Sequence, residues 1–373
     1  MNIGILTLSI HGNYGGVLQN FALSQVLGKL GHNSCTIDYK TLKHQRIKIR
    51  IFRFIRFLGG DYFIKYISYL NPKFAFLYHI RSFADKYIAF TKVMKTKTEI
   101  EQDSSKYDAV IVGSDQVWRY IFIYDDVSAY FLDFVKNGTK RIAYAASIGV
   151  DNNEYPDTEL KMIHSLYPKF DAVSVRERPA VNLIKSLWAD KPTAEHVLDP
   201  TMLLDSEYYR QMISKAEIKK QSEKNLFYYV LDMTNIKKGM IKKVSNAKGL
   251  KPYTIYSADV KELECILKTG FTQKVEQWLS CIDNSEYVIT DSFHGCVFCI
   301  LFNKQFIVYG NKERGLTRFT SLLGMFGLEN RIIDVHTSLE EALNLPKINY
   351  ERVNKLLDVE REKSLSFLLN SLK

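Results

Sequence analysis

Short runs of aliphatic and β-branched residues alternate along most of the chain with longer stretches in which apolar residues recur every three or four positions. That alternation is the pattern of an α/β protein. Ile3 to Leu8 reads as a strand, Gly12 to Gly16 as a glycine-rich loop, Val17 to Leu30 as a helix that Gly31 stops, and Ser34 to Tyr39 as a second strand. Asn13 and Tyr14 with Gly15 read as a close-approach loop for a substrate. Further strands are expected at Ala109 to Val112, Arg141 to Ala145 and Ala172 to Val175, each ending in polar residues. Parallel strands with helical crossovers bring such ends to one sheet edge, so Ser114, Asp115, Ser147 and Arg176 gather there. The competing readings are structural: a helix N-cap for Asp115 and an ion pair for Arg176.

A charged stretch from Leu203 to Lys224 separates this half from a second one. Strands at Leu226 to Leu231, Tyr253 to Tyr256, Tyr287 to Ile289 and Phe306 to Tyr309 then alternate with helices at Lys238 to Gly249, Val275 to Ile282, after Gly295, and Thr317 to Met325. A last helix, Tyr350 to Leu372, can pack across both halves. The expected fold is α/β, with two doubly wound Rossmann-like domains facing across a cleft. Their bounds are 1–222, which includes a basic helical insertion at about 40–105, and 223–346, with a terminal helix in 347–373; the length of 373 residues suits two domains.

The chain is organised around Tyr287-Val-Ile-Thr-Asp-Ser-Phe-His294-Gly295, an apolar strand running into a polar, glycine-ended turn and then an apolar helix. In open α/β sheets the carboxyl ends of strands form the ligand crevice, and a helix N-terminus there favours anions. An imidazole at that place can carry a charge and donate a proton near neutral pH. The alternative is a histidine that only caps its own helix.

Lysine plus arginine exceed aspartate plus glutamate by 51 to 41, a formal charge of +10 that favours anionic partners. Much of the surplus lies in residues 40–58, where Arg46, Arg50, Arg53 and Arg56 occupy a basic amphipathic helix. This helix suits an anionic membrane surface, or else an ordinary core contact with a solvated basic face. No basic–aromatic repeat points to nucleic acid. Five cysteines without framework spacing fit reduced thiols, and neither a leader peptide nor a membrane-spanning run is recognisable, so the expectation is a cytoplasmic protein, peripheral on the inner membrane face if the basic helix docks. Three other chemistries fit poorly. Gly12, Gly15 and Gly16 lack dinucleotide-site spacing despite Asp38; His294, Cys296 and Cys299 lack a further metal-ligand cluster; Asp291, Ser292 and His294 hold triad residue types only as sequence neighbours.

Seven stretches together resemble the polysaccharide pyruvyl transferase family. Besides the histidine segment they are Gly12-Asn-Tyr-Gly-Gly-Val-Leu-Gln19, Tyr107-Asp-Ala-Val-Ile-Val-Gly-Ser-Asp-Gln-Val-Trp118, Tyr144-Ala-Ala-Ser147, Ser174-Val-Arg176-Glu177, Val197-Leu-Asp-Pro-Thr201 and Arg314-Gly-Leu-Thr-Arg318. The resemblance implies a fold like that of two-domain (GT-B-type) glycosyltransferases. It also implies transfer of pyruvate from phosphoenolpyruvate to a diol of a sugar acceptor, lipid-linked in the expected case, as a cyclic ketal. Phosphoenolpyruvate is then the donor substrate, and neither a cofactor nor a metal is called for. On that scheme Arg176 clamps the donor and His294 is the general acid. Many members have an arginine two residues before the histidine, where this chain has Ser292, so Arg314 or Arg318, with Lys312, would supply the missing charge. The rival readings are a nucleotide-sugar glycosyltransferase of the same architecture and a non-catalytic membrane-surface protein of glycan assembly.

Overall fold

The computed structural model describes residues 1–9, 12–39, 72–189, 191–220, 224–310 and 315–373. The basic helix with Arg46, Arg50, Arg53 and Arg56, and the cations Lys312 and Arg314, lie outside the described residues.

The first sheet has six parallel strands: β1 (Asn2–Leu6), β2 (Asn33–Thr36), β3 (Ala109–Val112), β4 (Lys140–Ala146), β5 (Ala172–Val175) and β6 (Ala194–His196), in the order β2-β1-β3-β4-β5-β6. The second has five: β7 (Asn225–Tyr229), β8 (Lys251–Tyr253), β9 (Tyr287–Thr290), β10 (Gln305–Tyr309) and β11 (Ile332–Ile333), in the order β11-β10-β9-β7-β8. Read from the other edge, the second order repeats the first five strands of the first sheet. In each, the chain steps outward once and then reverses, so the crevice of a doubly wound sheet falls between β1 and β3 and between β7 and β9.

Strand ends differ from the sequence reading where a side chain takes over from the ladder. β1 stops at Leu6, and Thr7 turns its hydroxyl to the Ser114 carbonyl at 3.0 Å. β2 stops at Thr36, which bridges to Phe90; beyond it Ile37 N–H still donates to the Ile5 carbonyl at 2.8 Å and Tyr39 bridges to Met94.

Seven helices matter for the site: α1 (Tyr14–Lys29), α2 (Pro72–Tyr87), α3 (Arg178–Leu187), α4 (Val275–Asp283), α5 (Phe293–Leu301), α6 (Leu316–Phe326) and α7 (Tyr350–Leu372). All nine residues of α5 are buried. A helix that is apolar on every side belongs between layers. Phe298 on α5 meets Trp278 of α4 at 5.4 Å and Tyr209 at 5.0 Å, so truncation there would cost about 3–5 kcal/mol.

The two sheets share one core. Residues from both halves form a single buried cluster. Tyr14 at the start of α1 stacks on Trp278 with ring centres 5.0 Å apart and donates from its hydroxyl to the Gln273 carbonyl at 3.0 Å. Arg178 N–H donates to Ser321 Oγ at 3.2 Å on the other flank of the cleft. Among the described residues no helix is long and apolar enough to cross a membrane.

Candidate active site

The loop between β9 and α5 is built around the short polar residues of Thr290-Asp-Ser292. Thr290 Oγ1 donates to the Tyr229 carbonyl at 2.6 Å and accepts from Ser292 N–H at 3.0 Å. Ser292 then caps α5 by accepting from Gly295 N–H at 3.3 Å, so the helix begins at Phe293 and His294 stands in its first turn, not in the preceding loop. Asp291 is used up locally, accepting from the backbones of Leu231 and Asp232 and from Lys237 Nζ at 2.8 Å. It braces the loop and faces away from the imidazole chemistry.

His294 reaches across the cleft. Its ring lies flat against Gly15 at the start of α1: a Cβ placed on Gly15 would stand 1.9 Å from Nδ1. Its Nε2 lies 3.4 Å from Asp199 Oδ2, too oblique for an aligned hydrogen bond, and has no other hydrogen-bond partner among the described residues. The Gly15 backbone thus covers one face of the ring. Nε2 is left free to give its proton elsewhere.

Asp199, in the loop after β6, is the hub of the charge network. Its Oδ2 takes Arg176 Nη1 at 2.7 Å and Ser114 Oγ at 3.4 Å, while Oδ1 takes the Thr201 N–H at 3.0 Å and its hydroxyl at 2.7 Å. Burial resists ionisation of this carboxyl, but His294, Arg176 and Thr201 outweigh it and hold the group far below the usual carboxylate range.

Arg176 follows β5 and is wholly enclosed. Nη1 goes to Asp199, Nη2 to Asp115 Oδ1 at 3.2 Å, and the guanidinium lies over the Phe293 ring at 4.3 Å. Burial opposes its charge, yet Asp199, Asp115 and Glu177 reverse the effect and raise its pKa. Both terminal nitrogens thus pair with carboxylates, the ion-pair contact that the sequence left as the alternative for this residue. Arg318 on α6 approaches the same Phe293 ring at 5.6 Å. Burial, then repulsion from Arg176, pushes its pKa down to about 10. Gly315 stands at the N-cap of α6 and gives it no side-chain cap. Gly315 is held at φ +88°, and a Cβ there would meet the Gly149 carbonyl oxygen at 1.9 Å, so only glycine lets the two domains touch at that point.

The remaining expected residues form a layer behind these. Ser147 donates to Glu177, and burial raises the pKa of Glu177 despite Arg176 beside it. Ser114 donates to the Ala145 carbonyl at 2.8 Å and its N–H is taken by Gln19 Oε1 at 2.9 Å. Asn13 caps α1 through Gly15 N–H at 2.9 Å and is exposed at the mouth of the cleft. Ser114, Ser147 and Tyr14 have no exposed surface, so they support the cleft walls rather than line an open pocket. Three participants were not singled out from sequence: Asp199, Phe293 and Glu177. Each lies inside a noted motif, but only the tertiary contacts give it a partner.

A family model described as polysaccharide pyruvyl transferase matches residues 13–313. No curated protein matches the chain in sequence. Among solved structures, UDP-GlcNAc 2-epimerase of Neisseria meningitidis bound to UDP-GlcNAc is similar at TM-score 0.51 and 9% identity, covering 100% of this chain and 99% of that one. UDP-N-acetylglucosamine 2-epimerase of Rickettsia bellii is similar at TM-score 0.50 and 9% identity, covering 100% and 97%. Likeness at this level concerns the fold alone, two Rossmann-like domains facing across a cleft in the GT-B manner.

Proposed function

The chain belongs to the polysaccharide pyruvyl transferase family, and we propose that it moves pyruvate from phosphoenolpyruvate to two hydroxyls of a sugar, with His294 as the acid. The observation that carries this reading is the unmet Nε2 of His294, poised beside an ionised Asp199 in a cleft rich in buried cations.

His294 gives its proton to the methylene carbon of the donor, leaving C2 electrophilic. A sugar hydroxyl bonds to C2, the C2–O bond to phosphate breaks, and a second hydroxyl closes the ketal. Of the two hydroxyl protons released, one returns to His294 and one leaves with phosphate. A positioned acid of this kind is worth about 10²–10⁴ in rate. Asp199 faces the imidazole from the other domain without touching substrate. Arg176 serves to keep Asp199 ionised and to hold Asp199 and Asp115 in place. Arg318 and the uncapped N–H groups of α6 are the described groups suited to the donor's carboxylate or phosphate. Lys312 and Arg314 precede that helix and suit the same anion. A lipid-linked acceptor, with the enzyme cytoplasmic and docked by Arg46, Arg50, Arg53 and Arg56, completes the proposal.

The test is incubation with phosphoenolpyruvate and a panel of nucleotide-linked and lipid-linked hexoses, followed by mass measurement of the sugars and assay of free phosphate. Pyruvylated sugar with equimolar phosphate is expected. Turnover of a nucleotide sugar with release of nucleotide, and none of phosphoenolpyruvate, would replace this reading with a glycosyltransferase.

A further inference from the structure

The last helix, α7, lies beyond the stretch matched by the family model, yet it holds both sides of the His294–Asp199 contact. At its start, Tyr350 donates from its hydroxyl to the carbonyls of Cys299 and Lys304, the first at 3.2 Å. Cys299 is on α5, the helix whose first turn carries His294. Just before α7, Gln305 of β10 and Ile348 exchange hydrogen bonds of 2.9 and 3.4 Å, which fixes the helix to the second sheet.

Fourteen residues on from Tyr350, and about 21 Å along the axis at 1.5 Å per residue, α7 has crossed to the other domain. There Ser364 Oγ accepts the Leu198 N–H at 3.0 Å and donates back to the Glu360 carbonyl at 2.7 Å. Leu198 immediately precedes Asp199, and its carbonyl accepts from the Tyr144 hydroxyl at 3.2 Å. Arg361 Nε donates to the Met202 carbonyl at 2.9 Å on the far side of Asp199. The loop that presents Asp199 is therefore gripped by α7 before and after the carboxylate. Ser364 has no exposed surface and sits on a face that buries Val353, Leu357, Phe367 and Leu368.

We propose that α7 is a strut that sets the separation of Asp199 and His294 across the cleft, with Ser364 and Arg361 as positioning residues for Asp199 and Tyr350 for the helix bearing His294. The physical reason is that the two groups belong to different sheets and share no local element. The contact is oblique at 3.4 Å, so a small slip of either loop removes it. α7 is bonded both to the loop that presents Asp199 and to the end of the helix that bears His294, so it can fix the contact. The inference rests on the role given to His294 and Asp199 above, and its test is made independent of turnover.

The experiment follows the imidazole nitrogen signals of protein labelled with [15N]histidine, with those of His294 identified by their loss in His294→Gln. Ser364→Ala and Arg361→Met are expected to move the His294 signals part of the way to their positions in Asp199→Asn, while those of the other seven histidines stay. Arg361 is only partly buried, so its variant keeps the fold if Ser364→Ala does not. Where turnover is measurable, each variant should lower kcat about fivefold to tenfold with little change in KM for phosphoenolpyruvate, and add nothing in an Asp199→Asn background. Unmoved His294 signals in folded variants, or equal losses of kcat in both backgrounds, overturn the strut. Failure of the wild type to use phosphoenolpyruvate overturns the proposed reaction and leaves the signal test to decide the strut.

Discussion

Asp199 Oδ2 and His294 Nε2 stand 3.4 Å apart across the cleft, each presented from beyond a strand of a different sheet. The imidazole comes from one domain and the carboxylate from the other, so the pair exists only while the two sheets are held together. His294→Gln should lower kcat by about 10²–10⁴ with the fold retained, because the residue acts on a proton and glutamine keeps similar bulk in its buried place. Retention of more than about a tenth of wild-type activity would remove it from the role of acid.

Asp199→Asn should lower kcat and also destabilise the fold, since it leaves the buried Arg176 guanidinium with one carboxylate fewer. Breaking a buried ion pair on one side costs about 3–5 kcal/mol. Thermal unfolding read beside initial rates separates the two effects. An Asp199→Asn enzyme as stable and as fast as wild type would contradict the hub described here.

Gly15→Ala is a sharper probe because it leaves every charge in place. Its methyl would fall 1.9 Å from His294 Nδ1, so the imidazole must swing away from Asp199. A loss of at least tenfold in kcat is expected, with secondary structure by circular dichroism intact. Unchanged turnover would mean that the ring can be displaced without cost to the chemistry.

Arg318→Lys and Arg176→Lys should part company. A lysine at 318 keeps a charge but loses the planar fork, so KM for phosphoenolpyruvate should rise about tenfold with kcat less affected. At 176 the fork serves Asp199 and Asp115, and the main effect should fall on kcat and stability. Steady-state kinetics with the donor varied tells them apart, and matching behaviour of the two variants would refute the division of labour.

His196 gives the fold a pH dependence of its own. Burial, with Lys363 and Arg178 nearby, pushes its pKa down to about 4 against the hydrogen bond to the Arg176 carbonyl at 3.2 Å. In the unfolded chain it protonates near 6.5, so as pH falls the unfolded state binds the proton first. The contribution of this group is complete above about pH 6.5 and is lost progressively down to about pH 4, by up to roughly 3 kcal/mol. Denaturant unfolding of wild type and His196→Gln across this range should show a shallower pH slope in the variant; equal slopes would assign the dependence to other groups.

β3, β5 and β9 were legible because each is a short apolar run closed by polar residues, and they fall almost where that pattern puts them, whereas β8 lies earlier than expected and β6 and β11 were not expected. His294 was legible for the same reason. Asp199 was not, since β6 is only Ala194–His196, too short to show a period, and its partners lie on other elements. Tyr14 illustrates the converse: an aromatic within a glycine-rich loop suits a ligand contact, and its ring stacks on Trp278 from the other domain. Contacts between the domains leave no local periodicity to read, and the His294–Asp199 and Phe293–Arg176 contacts are of that kind.

The most direct measurement of the central claim is turnover in heavy water with phosphoenolpyruvate and an accepted sugar, analysed by mass spectrometry. Protonation of the donor by His294, which exchanges with solvent, predicts one deuterium in the methyl group of each new pyruvyl ketal and one phosphate released per ketal. A sugar product with no pyruvyl group, or a pyruvyl methyl without solvent deuterium, would contradict the account.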